Sequence, residues 1–435
     1  MKTEETSDRS ARTRGSAPRP QARRAAFVFI FITVVLDMLA LGMIVPVLPK
    51  LIEDFVHGNT ARAAEIYGLF GTVWALMQFV FSPVLGALSD RYGRRTVILL
   101  SNFGLGLDYI VMALAPTVGW LLLGRVISGI TSASFSTASA YIADVTPPEK
   151  RAGSFGMLSA AFGLGFILGP ALGGVLGNVD PRLPFWVAAG FSLLNAMYGL
   201  FVLPESLPIE RRERFSWRRA NPMGSLKLLR SHAELFGLAG ANFIGNMAHE
   251  ALPTTFVLYA MYRYGWNERT IGLALATVGA CSAIVGAGLV QPMVERFGER
   301  RVMIAGLWFG VAGFAIYGLA ATGLIFWLAV PVTGLWGLSG PPMQGLMTRH
   351  VNASEQGQLQ GALSSLRGIA FMIGPLLFTN TFAAFIGSER DWHIPGAPYL
   401  LAALMLAAAT LIVWRVTTPR SEGALAEFAG AAEEA

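Results

Sequence analysis

The sequence predicts an all-α membrane protein with twelve transmembrane helices in two parallel six-helix halves. Three observations carry this. Apolar residues make up 54 % of the chain and charged ones only 14 %, and the apolar residues gather into runs long enough to span lipid. Lys and Arg crowd into alternate loops. The two halves also repeat one another at a single fixed offset.

A soluble domain averages about 45–50 % apolar and about 25 % charged residues, and a helix that crosses a bilayer needs about 20 apolar residues. Runs of that kind cover residues 25–48, 64–88, 97–115, 118–142, 154–176, 184–203, 233–260, 270–293, 302–321, 323–347, 358–386 and 397–414. The 49 glycines lie largely inside these runs, where small residues let helix backbones approach closely. Residues 1–24 are polar and basic and read as a disordered cytoplasmic tail, and 417–435 read as a cytoplasmic tail. The apolar run after residue 24 is longer than the 7–15-residue core of a secretory signal. The single cysteine, Cys281, excludes a disulfide within the chain.

Charge sets the orientation. The tail, the loops after even-numbered spans and the C-terminus carry 25 of the 33 Lys and Arg; the opposite loops carry 6, and Arg125 and Arg367 fall inside spans. Positive residues stay on the cytoplasmic side, so both termini are expected there and the crossings should be even in number.

The repeat offset is 205 residues. Asp90–Arg95 matches Glu295–Arg300, Gly129 matches Gly334, Gly156–Ser159 matches Gly361–Ser364, and Gly169-Pro170 matches Gly374-Pro375. Several matches at one ungapped offset indicate duplication. They define halves at 25–203 and 233–416, joined by a basic cytoplasmic linker, 204–232. Halves of equal orientation are related by an axis along the membrane normal and hold a substrate site between them near the midplane. In the linker, Arg211, Arg212, Arg214, Arg218 and Arg219 interleave with Phe215 and Trp217, a composition suited to anionic headgroups. No folded nucleic-acid-binding module is visible.

Two motifs exceed what anchoring or plain packing needs. Between spans two and three lies Gly86-Ala-Leu-Ser-Asp90-Arg91-Tyr92-Gly93-Arg94-Arg95. Gly93 permits a backbone that residues with side chains resist. Asp90 sits where a helix N-terminus of the other half could meet its charge. We read a gating loop here, beyond the positive anchor that Arg94 and Arg95 supply. In span five, Gly165, Gly169 and Gly173 recur every four residues on one helix face, with Gly174 beside them. Pro170 removes a backbone hydrogen bond and invites a bend.

These motifs resemble those of the major facilitator superfamily, and the resemblance extends over residues 25–416. Asp90–Arg95 is similar to its cytoplasmic loop signature, Gly165–Gly174 to the signature of its proton-coupled drug antiporters, and Gly124–Gly129, which holds Arg125, to that group's fourth-helix arginine motif. Leu36–Pro49, Leu107-Asp108-Tyr109 and Gly361–Phe378 resemble segments of tetracycline efflux proteins. Where that group has a histidine in the eighth helix and an aspartate in the ninth, this chain has Ser282 and Gly310. The resemblance implies the major facilitator fold, a proton-coupled efflux antiporter of amphipathic drugs in the cell membrane, and function as a monomer. It implies no cofactor; the coupling ion is a proton, and a divalent cation could enter chelated to substrate. Proton-coupled uptake of a small metabolite is the alternative transport reading.

Charge inside lipid is costly, so ionisable residues within spans are functional candidates. They are Asp37, Asp108, Arg125, His249, Glu250 and Arg367. Asp37 is the leading proton carrier, because Gly42, Pro46 and Pro49 mark an irregular helix of the kind that lines a cavity. Arg125 is its expected charge partner and Glu250 the reserve carrier. His249 with Glu250 falls short of a metal ligand set. The five histidines are dispersed, which argues against a membrane-embedded enzyme, and no filter loop or ring of charges suggests a channel.

Overall fold

The computed structural model describes residues 20–132, 134–146, 151–212, 228–229, 233–352, 355–387 and 393–418. The readings of residues 1–19 and 419–435 as tails, and of Arg214, Arg218 and Arg219 as headgroup contacts, fall outside the described residues. Among the described residues all regular structure is helical, and it forms twelve crossings.

The first crossing is Pro20–Ile44 continued by Leu48–Phe55. The second is Thr60–Tyr92 and the third Arg94–Leu114. The fourth joins Val118–Thr131 to Ser134–Val145, and Arg151–Gly177 and Leu183–Val202 complete the first half. The seventh crossing joins Ala233–His249 to Ala251–Tyr264. The eighth runs from Glu268–Ile284 through Val285–Leu289 to Val290–Phe297, and the ninth is Glu299–Leu319. The tenth is built from Gly323–Leu328, Val330–Gly334, Leu335–Leu338 and Gly340–Arg349. Gln356–Ile386 and Ala397–Thr417 are the eleventh and twelfth. Ten crossings are long and apolar enough to be recognised individually; the fourth and seventh are each made of two shorter helices.

The interruptions have chemical causes. In the first crossing Pro46 offers no N–H, and the chain closes short turns from Val45 N to Gly42 O and from Val47 N to Ile44 O. In the seventh, Glu250 occupies a turn ahead of Pro253. Pro46 and Glu250 lie within one residue of the 205-residue offset, so the repeat extends to where the helices break. In the eighth, Pro292 cannot donate to Gly288, and the turn just before it widens to a π-helix over Val285–Leu289.

One sequence boundary is corrected. The segment expected as a loop between spans two and three is helical through Tyr92, and Gly93 alone forms the turn, at φ 101°. The start of the linker lies against the first half: Tyr141 Oη donates to Pro204 O at 2.9 Å and Arg94 N to Glu205 Oε1 at 2.9 Å. Leu203 and Leu207 are buried and the chain up to Arg212 lies on the first half.

The halves meet at one end of the bundle. Crossing two packs on crossing eleven, and crossing five on crossing eight. At the first contact Thr72 Oγ1 donates to Met372 O at 2.8 Å, and a Cβ on Gly71 would lie 2.9 Å from Pro375 Cβ. At the second, a Cβ on Gly272 would overlap Pro170 O, and one on Gly174 would overlap Glu268 O. Gly174, Gly272 and Glu268 lie at the end opposite the Asp90–Arg95 segment, and the Thr72–Met372 contact lies near the middle of its two helices. Toward that segment crossings two and eleven enclose a cleft of about 570 Å³. The bundle is closed at one end and open at the other.

The closed end of the second half is tied by aromatics. Phe326 stacks on Tyr317 at 4.2 Å, and Tyr259 meets Tyr399 edge-on at 5.0 Å. The Tyr259 and Tyr264 hydroxyls donate to Tyr317 O and Ala320 O at 3.1 and 2.9 Å. At the open end His350 Nε2 lies 2.7 Å from Glu234 Oε2, joining crossing ten to crossing seven. The Glu234 carboxylate raises the His350 pKa.

Candidate functional site

Buried charge concentrates in the first half. Asp37, on crossing one, is buried; its Oδ1 accepts from Asn195 Nδ2 of crossing six at 3.2 Å. The same amide donates to Thr33 O at 3.3 Å, and Thr33 Oγ1 donates to Asn195 Oδ1 at 3.0 Å. The carboxylate is thus held on a polar shelf one turn long, in the unbroken part of the helix and two turns before the Pro46 interruption. The sequence reading did not anticipate Asn195. Its signal was a lone amide in an otherwise apolar sixth span.

Asp108 is fully buried on crossing three, with Arg125 Nη2 of crossing four 3.7 Å from its Oδ2. Gly124 makes this possible, because a Cβ there would lie 2.7 Å from Asp108 Oδ1 and 2.5 Å from Met112 Cγ. Arg125 Nη2 also rests 3.4 Å from Met112 Sδ. Arg125 forms an ion pair with Asp108, which enters the crossing three–four interface through the space that Gly124 leaves. Tyr109 lies within the electrostatic reach of Asp37, Asp108 and Arg125, so the two polar clusters are neighbours.

Tyr67 on crossing two feels both Arg125 and Glu250 and bridges the halves electrostatically. Glu250 is buried, its stem seated on Gly374, where a Cβ would lie 2.6 Å from Glu250 Cβ. The half-exposed His249 ring sits 5.8 Å from Trp336, with Nδ1 3.8 Å from Glu250 Oε1. Arg367 stands apart, exposed in the cleft between crossings two and eleven. The structure therefore brings Asp37, Asp108, Arg125 and Glu250 toward the centre of the bundle, and places Arg367 nearer the open mouth.

The Asp90–Arg95 segment forms a charge network. Arg94 pairs with Asp90 at 2.5 Å and with Asp144 of crossing four at 3.2 Å, and donates to Ser89 Oγ at 2.6 Å. Its backbone N–H donates to Glu205 Oε1 at 2.9 Å, an oxygen that also accepts from Ser206 N and Leu207 N. A Cβ on Gly93 would overlap Glu205 Oε2, so glycine is required here for space as well as for φ. Arg95 donates to Leu200 O at 2.6 Å, and Arg91 lies over the Tyr92 ring at 5.0 Å. A Cβ on Gly86 would meet no neighbour. Glu205 and Asp144 belong to this network although sequence reasoning named neither. In this state Asp90 and Arg94 pair with each other, and Arg94 reaches Asp144 and Glu205 on the same side of the bundle.

The small-residue face of crossing five carries crossing one. A Cβ on Gly165 would lie 2.5 Å from Met38 Cβ, one on Gly169 would lie 2.8 Å from Gly42 Cα, and one on Gly173 would overlap Met43 O. Gly174, one residue round the helix, faces crossing eight instead. Pro170 touches both neighbours: its Cδ lies 2.9 Å from a Cβ built on Gly42, and its carbonyl faces Gly272. The helix continues through Pro170 without interruption. The motif is thus a close-packed glycine–proline plate shared by crossings one, five and eight, directly beside the helix that bears Asp37.

Comparison with known proteins agrees with this architecture. The sequence profile of the Major Facilitator Superfamily matches residues 30–375 and 238–433. The tetracycline resistance protein of class C from Escherichia coli is 38 % identical over 381 residues, covering 86 % of this chain and 95 % of that protein. The class G protein from Vibrio anguillarum is 36 % identical and covers 88 % and 96 % respectively. The crystal structure of a bacterial homologue of the human lysosomal transporter Spinster, inward-facing and occupied, superposes with a TM-score of 0.73 at 16 % identity over 93 % of this chain and 98 % of that one; that likeness concerns the fold alone. The chain belongs to the major facilitator superfamily of membrane transporters, in the group that includes the tetracycline resistance proteins.

Proposed function

We propose that this transporter is a proton-coupled antiporter that expels amphipathic drug-like molecules, tetracycline-like compounds among them, across the cell membrane. The observation that carries the reading is the membrane-buried pair of carboxylates, Asp37 and Asp108, set with Arg125 beside the plate of Gly165, Gly169, Pro170, Gly173 and Gly174. Burial in apolar surroundings favours the neutral form of a carboxyl, whereas a cation or donor favours the anion. Movement of crossing one on that plate alters both influences at Asp37. A proton is loaded on one side and released on the other, and substrate competes for the same cavity. Resistance proteins that cover almost their whole length in this chain favour efflux over uptake.

The halves are proposed as 25–203 and 233–416, joined by 204–232, in a protein that works as a monomer. With both termini cytoplasmic, the open end faces the cytoplasm and the described state is inward-facing. The orientation is tested by cysteine labelling in a Cys281→Ser background. A cysteine at Asn59, an exposed position, reacts with a membrane-impermeant thiol reagent in intact cells whose outer barrier is permeable, whereas one at Ser216 does not. Reversed labelling overturns the orientation.

The Asp90 network is proposed to govern closure of the open end. Extending the crossing two–eleven contact, in which Thr72 meets Met372 and Gly368 meets Phe79, brings Asp90 opposite Gln356, the first residue of crossing eleven. A helix N-terminus stabilises a carboxylate. Asp90→Asn and Arg94→Ala should therefore slow transport about tenfold or more, since a shift of about 1.4 kcal/mol between states is tenfold, while substrate affinity of the purified variants changes less than about twofold. Lost affinity with normal turnover would move these residues to the substrate site.

A further inference from the structure

Arg367 is an ionisable candidate that neither the proton pathway nor the gate uses. It lies three turns inside crossing eleven, about 16 Å from Gln356 at 1.5 Å per residue, within the membrane-crossing stretch and on the open-mouth side of the helix midpoint. Its side chain is exposed to the cleft of about 570 Å³ between crossings two and eleven. That cleft is also lined by Gln78, Ser82, Gln358 and Ser364, and by Phe79 and Phe371, with no acidic residue among the described lining residues. Arg367 has no ion-pair partner among the described residues. One of the hydrogen-bonding groups is already oriented: Gln78 Nε2 donates to Ser132 Oγ at 2.7 Å, leaving its carbonyl oxygen for another donor.

An arginine stays charged at all accessible pH values and offers a planar fork of donors suited to carboxylate, sulfonate or phosphate. A cation at this depth without a counter-charge is costly unless water or an anion meets it. The flanking phenylalanines give apolar area for a planar ring, and a ring with an acidic substituent matches both features. We propose that the cleft is an entry subsite for the anionic group of an amphipathic aromatic substrate, with Arg367 binding that group. This rests on the efflux reading above and adds to it a charge preference: substrates carrying an acidic or zwitterionic group are captured from the open side in preference to their neutral counterparts.

The test compares two probes that differ by one acidic group, 8-anilinonaphthalene-1-sulfonate and neutral N-phenyl-1-naphthylamine. Fluorescence titration of the purified protein in phosphatidylcholine nanodiscs, with empty discs subtracted, gives affinities for wild type, Arg367→Gln and Arg367→Lys. Thermal unfolding confirms that each variant is folded. We expect wild type to bind the sulfonate at least about tenfold more tightly than the neutral probe, Arg367→Gln to remove that preference while the neutral probe shifts less than about twofold, and Arg367→Lys to restore part of it. Equal weakening of both probes, or an unchanged sulfonate affinity in Arg367→Gln, overturns the proposal. Repeating the titrations of wild type and Arg367→Gln with phosphatidylglycerol in the disc separates the two sources of an anion. Unchanged affinity supports a substrate subsite, and Arg367-dependent competition by the lipid assigns the arginine to a headgroup and overturns it. Because binding is measured at equilibrium without a gradient, these outcomes decide the role of Arg367 even where pH-driven transport of either probe fails, a failure that would count against antiport alone.

Discussion

Asp37→Asn is expected to abolish accumulation driven by a pH gradient while leaving exchange of substrate down its own gradient. The side chain is nearly isosteric with the protonated acid, and its amide oxygen can still accept from Asn195 Nδ2, which holds Asp37 Oδ1 at 3.2 Å. The shelf formed with Thr33 should survive, so expression and unfolding temperature should stay close to wild type. What is lost is the ability to release and regain a proton as crossing one moves against Gly169 and Pro170. In proteoliposomes with an imposed gradient, uphill movement should fall to the level of protein-free vesicles, whereas counterflow without a gradient should persist. Asp37→Glu keeps an ionisable group but displaces it by one methylene, and should retain part of the coupling. Full pH-driven accumulation by the Asn variant would make Asp37 structural and pass the role to Glu250 or Asp108.

Hydropathy and loop charge located the crossings because lipid permits few ways to bury a backbone, and every helix leaves a run of apolar residues. The duplicated Gly-Pro pairs located the plates on which crossings one and seven rest. The partners of the charged residues were not legible. Conspicuous charges in spans mark Asp37, Asp108 and Arg125 as candidates, but not that Asp108 reaches Arg125 through the space left by Gly124. Glycine at 124 carries the information, but only the interhelical geometry shows which neighbour uses it. Glu205 and Asp144 were passed over for a related reason. They lie in segments that hydropathy marks only as loop or helix end, and their function depends on the positive φ of Gly93, which opens the backbone N–H of Arg94 to a carboxylate 111 residues away. The helix breaks at Pro46, Glu250 and Pro292 were partly readable from proline, but the continuation of crossing one to Phe55 was hidden by Lys50, Glu53 and Asp54 at its membrane end.

The contact between Gly174 and Gly272 leads to the second large effect. Here crossings five and eight, one from each half, approach so closely that a Cβ on Gly272 would overlap Pro170 O and lie 3.0 Å from Gly174 Cα. Backbone is on both sides, so no flexible side chain can yield, and relief requires that the halves separate at the closed end. Gly173, one residue away, faces Met43 of crossing one within the same half. The neighbouring glycines therefore separate two consequences of one chemical change. Gly272→Val should leave each half intact but disfavour the state with this end closed. Overpacking costs about 1–3 kcal/mol, a population shift of roughly 5- to 150-fold, toward the state in which the cleft at Gln358 is shut. In a Cys281→Ser background, a cysteine at Gln358 should then react with a thiol reagent about tenfold more slowly in Gly272→Val than without that change, and transport should fall by a comparable factor because one half of the cycle is disfavoured. Gly173→Val should instead lower the unfolding temperature, because crossing one can no longer seat on crossing five, with labelling at Gln358 in the folded fraction unchanged. If both substitutions reduce stability and neither alters labelling, the glycine contact between the halves is packing alone and the closed end does not separate during transport.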